Sequence, residues 1–367
     1  MVRRQIAALF APSRRRNAVG LILLLLCACA PVVAPVGLGR AVPVAQDGVF
    51  VTRDGLRLPL RHWDAAKPMA IFVALHGMSD YSQAFDLPGP WWAEHGISVY
   101  AYDQRGFGAA PYPGLWAGAP LMRQDLGDMV WALRAKFPHT PVYALGESMG
   151  GAVVLTALAS RNPPRLDGAI LVAPAVWSRE DMPLSYRFVL WLGAHLMPGM
   201  HVSGEGLHIW ATDNMRVLRQ LSHDRLYQHS ARVDQVYGLV KLMTEARRAP
   251  EHLTSHPPIL FLYGGKDQVI PAEPTQAVAQ ELRAPKGVIS YANGYHMLLR
   301  DFEAESRWND VLLWIEKTNP KPGRVAEMQA RSLAKQPATA SVISQPWTTD
   351  KTHTGRSPAP APKGAGR

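Results

Sequence analysis

Residues 41–320 of this 367-residue chain contain no cysteine, because its only two, Cys27 and Cys29, lie near the N-terminus. The central part of the chain therefore forms no disulfide. It also lacks an excess of positive charge. Of the formal net charge of +10, residues 1–40 carry +6 and residues 321–367 carry +6, so residues 41–320 carry −2. Proteins that bind nucleic acids concentrate basic side chains on a folded surface, so we predict no nucleic acid partner.

Metal and cofactor patterns are missing as well. None of the 13 histidines begins a His-Glu-x-x-His pattern, the arrangement that places two zinc ligands and a base on one helix. We therefore predict neither a metal nor a cofactor. The chain has 47% hydrophobic and 19% charged residues, which is typical of a globular protein with a sizeable core.

The N-terminus has the layout of a secretory signal. Arg14, Arg15 and Arg16 precede an apolar run that ends at Leu26, and small residues follow. The tetrad Leu26-Cys27-Ala28-Cys29 resembles the lipobox of bacterial lipoproteins, which implies cleavage before a lipidated Cys29. We thus expect a signal peptide over 1–28 and a membrane-anchored protein of the bacterial cell envelope, facing the periplasm or the exterior. A plain cleaved signal and an uncleaved anchor are the alternatives.

The rest of the chain alternates short β-branched runs with longer helical segments, after a tether rich in Pro, Gly, Ala and Val over 29–48. Runs such as IFVAL and ILFLY are apolar throughout, as in strands covered on both faces of a parallel sheet. The pattern predicts an α/β protein with a doubly wound, mostly parallel sheet over 49–174 and 257–318. The predicted strands are Val49–Thr52, Arg57–Trp63, Ala70–Leu75, Ser98–Tyr102, Pro141–Leu145, Ala169–Val172, Ile259–Tyr263 and Gly287–Tyr291. The predicted helices are 82–95, 119–137, 149–160, 273–283 and 297–317.

Two segments depart from this alternation. Residues 175–256 contain helical sequence rich in Trp, Met, Leu and His and no predicted strand. A segment of this length is too long for a simple connection, so we predict a helical cap inserted over the carboxyl edge of the sheet. Residues 319–367 are basic, rich in Pro and Ala, and without periodicity, which predicts a disordered tail.

The run Gly146-Glu147-Ser148-Met149-Gly150 matches the G-x-S-x-G pattern of a nucleophilic serine. It directly follows the predicted strand PVYAL and opens a predicted helix. A nucleophile elbow requires this strand-turn-helix order, because the serine backbone is strained and side chains at Gly146 and Gly150 would collide with their surroundings. The sequence therefore predicts Ser148 as a nucleophile. A glycine-rich turn without chemistry is the alternative interpretation.

A serine hydroxyl needs a base and an acid that orients the base. His296 follows the last predicted strand and precedes the last predicted helix, at the sheet edge where Ser148 is expected. Asp267, after the strand ILFLY, is the preferred acid, and Asp103 and Asp301 compete with it. The other histidines of the cap have surface or pocket-lining interpretations. The order Ser148, Asp267, His296 along the chain is typical of α/β-hydrolases.

Two backbone N–H groups must also face the negative charge that develops on the substrate oxygen. We assign them to Met149, directly after the nucleophile, and to Met78, in the loop after the strand IFVAL. Gly77 beside Met78 permits a close approach of the backbone.

The sequence resembles the monoacylglycerol lipase and lysophospholipase-like branch of the α/β-hydrolases, which is related to the serine aminopeptidases. The similar stretches are HGMSDYS, YDQRGFG, GESMGGA, GGKDQVIP and GYHMLLRD, within about residues 50–317. The resemblance implies hydrolysis of acyl esters such as monoacylglycerols or lysophospholipids, with Ser148, Asp267 and His296 as the triad and Met78 and Met149 as oxyanion donors. Glu147 departs from the family, since many members have His there.

Other functions are compatible with the same residues. An aminopeptidase would need acids in the cap to hold the substrate amine, for which Glu180, Asp181 and Glu205 are candidates, and a thioesterase would use the same triad. An envelope binding protein without catalysis is an alternative of a different class. The family's epoxide hydrolases and dehalogenases are disfavoured, because they have Asp at the elbow.

Overall fold

The computed structural model describes residues 30–204, 206, 209–253, 256–283 and 286–319. The signal peptide, Cys29 and the basic tail lie outside these residues. Eleven strands are present in the described part of the chain: β1 (Val44–Gln46), β2 (Val49–Val51), β3 (Arg57–Trp63), β4 (Ala70–Leu75), β5 (Ile97–Tyr102), β6 (Val142–Glu147), β7 (Gly168–Val172), β8 (His201–Val202), β9 (Ala231–Arg232), β10 (Ile259–Gly264) and β11 (Lys286–Tyr291).

Nine of the strands form one sheet in the order β1-β2-β3-β5-β4-β6-β7-β10-β11. In this order, all neighbours from β5 to β11 pair in parallel, whereas the pairs β1–β2, β2–β3 and β3–β5 are antiparallel. Every residue of β4, β5, β6, β7 and β10 is buried, as expected for apolar strands covered on both faces. The predicted doubly wound, mostly parallel sheet is confirmed.

Eight α-helices surround this sheet in the described residues: α1 (Pro88–Glu94), α2 (Ala119–Lys136), α3 (Met149–Leu158), α4 (Leu184–Leu196), α5 (Met215–His223), α6 (Val233–His252), α7 (Ala272–Glu281) and α8 (Ala304–Thr318). Buried side chains of α2, α3, α6 and α7 form one apolar core with the inward residues of the strands. Side chains of α1 and α8 form a second core on the opposite face. The sheet is therefore sandwiched between two helical layers.

The insertion between β7 and β10 has two parts. Helix α6 packs on α3 and contributes buried residues to the first core. Helices α4 and α5 and the short β8–β9 ladder lie farther out, where α4 buries only Ala194. No helix within the described ranges is both long and apolar enough to cross a bilayer.

The segment before β1 lies along the folded body. The Val32 N–H donates to the Asp234 carboxylate (3.1 Å) at the start of α6, and the Ala34 N–H donates to the Trp116 carbonyl (2.8 Å). Farther on, the Gly37 N–H donates to Asp54 (2.8 Å). Residues 29–48, which the sequence indicates to be a tether, thus make specific hydrogen bonds where they are described.

Several details differ from the sequence-based prediction. The insertion 175–256, for which the sequence predicts no strand, contains the short β8–β9 ladder, and the predicted helix 82–95 is a 3₁₀ turn over Ser82–Phe85 followed by α1. The first predicted strand has an additional partner, since Val44–Gln46 pairs with Val49–Val51 in a hairpin. The last predicted helix begins too early: residues 297–303 form turns and α8 starts only at Ala304. Hydrogen bonds to the insertion hold these turns: the Met297 N–H donates to the Ala211 carbonyl (2.8 Å) and the Phe302 N–H to the Asp213 carboxylate (2.8 Å). Asp301 is therefore not on the final helix.

Candidate active site

Ser148 occupies a sharp turn between β6 and α3. Its backbone has φ 52° and ψ −113°, a strained conformation for a residue with a side chain. A Cβ added to Gly146 would lie 2.5 Å from the Gly150 backbone, and one added to Gly150 would lie 2.2 Å from the Leu75 carbonyl oxygen. Both positions therefore require glycine. The geometry is that of a nucleophile elbow.

Asp267 and His296 follow β10 and β11, respectively. The Nδ1 atom of His296 lies 2.8 Å from Asp267 Oδ2, and both side chains are almost completely buried. The other carboxylate oxygen, Oδ1, accepts the N–H groups of Val269 (2.8 Å) and Ile270 (3.0 Å). These bonds hold the carboxylate in place. If Nδ1–H donates to Asp267, the Nε2 atom of His296 is the free base.

The two competing acids have other contacts. Asp103 accepts the backbone N–H groups of Ser82 (3.0 Å) and Ala109 (2.9 Å), so it ties two loops together. Asp301 accepts the Tyr295 N–H and thereby orders the turn that precedes α8. Asp267 is the acid that the structure places against His296.

The topology brings the three segments to one edge of the sheet. β6, β7, β10 and β11 are consecutive parallel strands, so their carboxyl ends point the same way. Ser148 also donates its N–H to the Val172 carbonyl at the end of β7 (2.9 Å). A Cβ on Gly77 would lie 3.2 Å from the Ser148 Cβ. The loop that carries Met78 therefore adjoins the serine.

Met78 and Met149 differ in their setting. Met149 is the first residue of α3, where backbone N–H groups have no intrahelical acceptor and face an incoming anion. Met78 is half-buried, and the loop it belongs to is fixed by the buried His76. His76 Nδ1 lies 2.8 Å from the Gly77 carbonyl, and its Nε2 accepts the Gln104 N–H (3.0 Å).

These two bonds select the Nδ1–H tautomer of His76, and burial lowers the pKa of its imidazole. His76 is thus a neutral support of the loop.

The cap forms hydrogen bonds with the segment that follows Met78 and with the segment that follows His296. The Gln228 N–H donates to the carbonyl of Ser79 (2.8 Å), which has a positive φ of 71° directly after Met78. On the other side, the Met297 N–H donates to the Ala211 carbonyl (2.8 Å), and Met297 packs on Val217 of α5. The insertion therefore rests on the segments that carry Met78 and His296.

Three charged residues at this site escaped the sequence analysis as a group. Arg300 forms buried ion pairs with Asp80 (2.6 Å) and Glu147 (3.1 Å). Burial raises the pKa of Glu147 above its usual value. The available signal was Glu147 itself, an acid inside an otherwise apolar run, which needs a cation nearby.

No cluster of three or more metal-ligating side chains occurs among the residues that the structure describes. A serine, a histidine and an aspartate can carry out acyl transfer without a metal.

Comparison with known proteins identifies a family. The model of Hydrolase_4, described as serine aminopeptidase S33, matches residues 66–303, well over half of the chain.

The chain is also similar to several curated proteins. A monoglyceride lipase from Rattus norvegicus is 24% identical over 304 residues, which are 80% of this chain and 95% of the lipase. Phospholipase YtpA from Bacillus subtilis is 27% identical over 215 residues, 57% of this chain and 80% of the phospholipase. An uncharacterized abhydrolase domain-containing protein of Dictyostelium discoideum is 24% identical over 279 residues, 73% of this chain. The chain spans only 28% of that longer protein.

Solved structures share the fold. A thermostable carboxyl esterase from Bacillus coagulans superposes with a TM-score of 0.63 and 19% identity, covering 75% of this chain and 98% of the esterase. A soluble variant of monoglyceride lipase from Saccharomyces cerevisiae, in complex with a substrate analog, gives 0.61 and 18%, covering 80% of this chain and all of the lipase. The fold is that of the α/β-hydrolases.

Proposed function

Since this chain belongs to the Hydrolase_4 family, described as serine aminopeptidase S33, we propose that it is a serine hydrolase that cleaves carboxylic acyl esters. One observation carries the proposal: the strained Ser148 and the buried Asp267–His296 pair (2.8 Å) lie at the same edge of the sheet. The family and the relatives support an ester hydrolase of the α/β-hydrolase type. The nucleophile, the triad and the substrate are our assignments.

The reaction follows from the roles of the groups. Ser148 Oγ attacks the ester carbonyl carbon while His296 Nε2 takes its proton. Asp267 stabilises the imidazolium that forms, and the N–H groups of Met78 and Met149 stabilise the negative oxygen. His296 then protonates the leaving alcohol, which leaves an acyl-enzyme on Ser148. Water, deprotonated by His296, releases the acid and restores the serine.

For the substrate we propose a lipid acyl ester, such as a monoacylglycerol or a lysophospholipid. The names of the rat and Bacillus subtilis relatives support this class. So does the cap, whose helix α4 exposes Leu184, Phe188 and Val189. Exposed apolar surface of this extent is typical of a binding site for an apolar partner.

Aminopeptidase and thioesterase activities are the alternatives within the enzyme class. Two of the cap acids that could hold a substrate amine already have partners. Glu180 pairs with Arg248 (2.9 Å), and Asp181 accepts the hydroxyl of Ser178 (2.6 Å). Glu205 lies outside the described residues. These contacts favour an ester over an amine-bearing substrate.

The decisive experiment combines covalent labelling with kinetics. We expect a fluorophosphonate probe to label the wild type at Ser148, and Ser148→Ala to lose the label and about 10⁶-fold in kcat on p-nitrophenyl butyrate. Ser160→Ala is the matched control. Ser160 lies two residues beyond the end of α3, and its hydroxyl donates to the Ala157 carbonyl (2.7 Å). An unlabelled wild type would instead indicate a binding protein without catalysis.

A panel of esters graded by chain length, assayed beside an amino-acid anilide and a thioester, separates the three activities. The proposal predicts the highest kcat/KM on an oxygen ester of a long acyl chain. Faster turnover of the anilide or the thioester would replace it by the corresponding alternative.

We further propose that Cys29 is lipidated and anchors the protein in the bacterial cell envelope, on the strength of the Leu26-Cys27-Ala28-Cys29 tetrad. Radiolabelled palmitate should be incorporated into the wild type and not into Cys29→Ala. Equal incorporation into both proteins would contradict this assignment.

A further inference from the structure

Asp80, Arg300 and Glu147, which we call the charged cluster, meet next to the segments that carry the candidate site. One nitrogen, Arg300 Nη2, lies 2.6 Å from Asp80 Oδ2 and 3.1 Å from Glu147 Oε2. The three side chains are only 2–6% exposed. Bulk solvent therefore screens their charges poorly.

Each member of the cluster belongs to a different segment of the site. Asp80 lies two residues after the oxyanion donor Met78, Glu147 immediately precedes Ser148, and Arg300 lies four residues after His296. Residues 297–303, which include Arg300, form turns and belong to no strand or helix. The guanidinium of Arg300 thus joins three separate segments of the site: the loop after β4, the end of β6 and the turns after His296.

Stability alone is a poor reason for this arrangement. A buried ion pair is often no more stabilising than apolar side chains of similar volume, because both ions lose their hydration. The desolvation is also incompletely offset here, since Glu147 Oε1 and Arg300 Nε have no hydrogen-bond partner among the described residues. What charged groups provide better than apolar ones is a fixed geometry and a fixed local field.

The sign of the field matters at this place. Asp80 and Glu147 flank the two N–H groups that must stabilise a negative oxygen, so an uncompensated carboxylate would oppose the reaction. Arg300 supplies the compensating positive charge. Asp80 is the closer of the two carboxylates to Arg300 Nη2, at 2.6 Å against 3.1 Å for Glu147, and burial raises the pKa of Glu147. Tyr227 of the cap, Asp301, His76 and His296 are the neighbouring titratable groups.

We propose that Arg300 is a positioning residue of this hydrolase, which through Asp80 and Glu147 holds the oxyanion loop, the elbow and the His296 turn in register and cancels the buried negative charge beside the oxyanion. The inference rests on the proposed function. It adds a requirement for catalysis outside the triad and the oxyanion donors.

The test measures kcat per active site in Arg300→Met, with sites counted by fluorophosphonate titration. Arg307→Met is the matched control, since Arg307 is an equally buried arginine nearby that pairs with Glu303 on its own helical turn (2.9 Å). We expect Arg300→Met to lose about 10- to 100-fold in kcat on p-nitrophenyl butyrate with little change in KM. Arg307→Met should have wild-type kcat per titrated site, whatever its melting temperature.

A rescue variant separates positioning by charge from a merely structural role. Asp80→Asn/Arg300→Met removes both members of the closest ion pair of the cluster, and we expect it to have a higher kcat per site than Arg300→Met alone. If the kcat losses of Asp80→Asn and Arg300→Met simply add up in the double variant, the compensation of charge is contradicted. Should Arg300→Met give no soluble protein, Asp80→Asn decides, with an expected fall in kcat per site at nearly unchanged KM.

The outcomes distinguish the two proposals. If the wild type labels at Ser148 and Arg300→Met keeps the kcat per site of Arg307→Met, the positioning role is wrong and the proposed function stands. If the wild type does not label, the proposed function itself fails.

Discussion

Helices α3 and α4 are both apolar, but α3 is buried and α4 is largely exposed. All ten residues of α3 are buried between the sheet and its neighbouring helices, whereas Ala194 is the only buried residue of α4. Leu184 of α4 is 75% exposed. Apolar sequence therefore serves two purposes in one chain. In α3 it stabilises the fold next to the turn that carries Ser148, and in α4 it forms the exposed surface that we propose for an apolar ligand.

The position of each helix in the chain explains the difference. α3 starts at the elbow, so it must run back along the central sheet and is covered by α2 and α6. α4 belongs to the insertion and packs on α6 alone among the helices it contacts extensively. If this comparison is right, substitutions in the core should affect chemistry and stability, and those on α4 should affect substrate use.

The largest effect is expected on chemistry, at the sheet edge below the cap. Asp267→Asn should lower kcat by about 10⁴-fold, because the amide no longer stabilises the imidazolium of His296. Steady-state kinetics on p-nitrophenyl butyrate measure it. Asp310→Asn, at the acceptor of the Tyr291 hydroxyl (2.9 Å), is the control and should retain activity. Equal kcat in the two variants would remove Asp267 from the triad.

Stability should separate the two helices next. Leu155→Ala in α3 leaves a cavity in the first core and should lower the free energy of unfolding by about 2–5 kcal/mol. Phe188→Ala in α4 removes a largely exposed ring and should change it by less than about 0.5 kcal/mol. Urea unfolding measures both. A large loss in Phe188→Ala would mean that the α4 face is covered in solution.

Substrate use should show the reverse order. Replacing Leu184, Phe188 and Val189 together by Ser should lower kcat/KM on a dispersed long-chain monoacylglycerol by about 10-fold, because apolar contact area is lost. Hydrolysis of the short, soluble p-nitrophenyl acetate should stay at the wild-type rate. A parallel decline on both esters would argue against a role of the α4 face in binding.

The smallest effect concerns pH and the buried Glu147 of the core. Burial raises its pKa, so the folded state binds this proton more tightly than the unfolded state. Stability should therefore fall as pH rises from the ordinary glutamate range through the raised pKa. In Glu147→Gln this decline should be smaller, by about 1.4 kcal/mol for each pKa unit.

Urea unfolding from about pH 4 to about pH 8 measures this slope. The exposed Glu94, replaced by Gln, should leave it unchanged. A wild-type slope in Glu147→Gln would show that the carboxyl does not titrate differently in the folded state.

The sequence predicted the central strands well, because continuous apolar runs bounded by turns have few other solutions. The bounds of Arg57–Trp63 and Ala70–Leu75 agree residue by residue. It failed where long-range contacts decide. The turns over 297–303 were predicted as helix, since nothing near Arg300 in the sequence reveals its carboxylate partners, which lie far away along the chain. The same limitation hid the charged cluster, although Glu147 stands where many members of the family have His.

The hydrogen bond between Val32 and Asp234 limits the distance between the folded body and Cys29. Asp234 opens α6 and donates its own N–H to the Pro198 carbonyl, next to the exposed Met197 at the end of α4. Val32 follows Cys29 by only three positions, so the linker between them is at most about 10 Å long. If Cys29 carries the proposed acyl chains, this linker is too short for the cap to move away from the bilayer in which the chains are inserted. The protein would then reach its substrate by diffusion in the plane of the membrane.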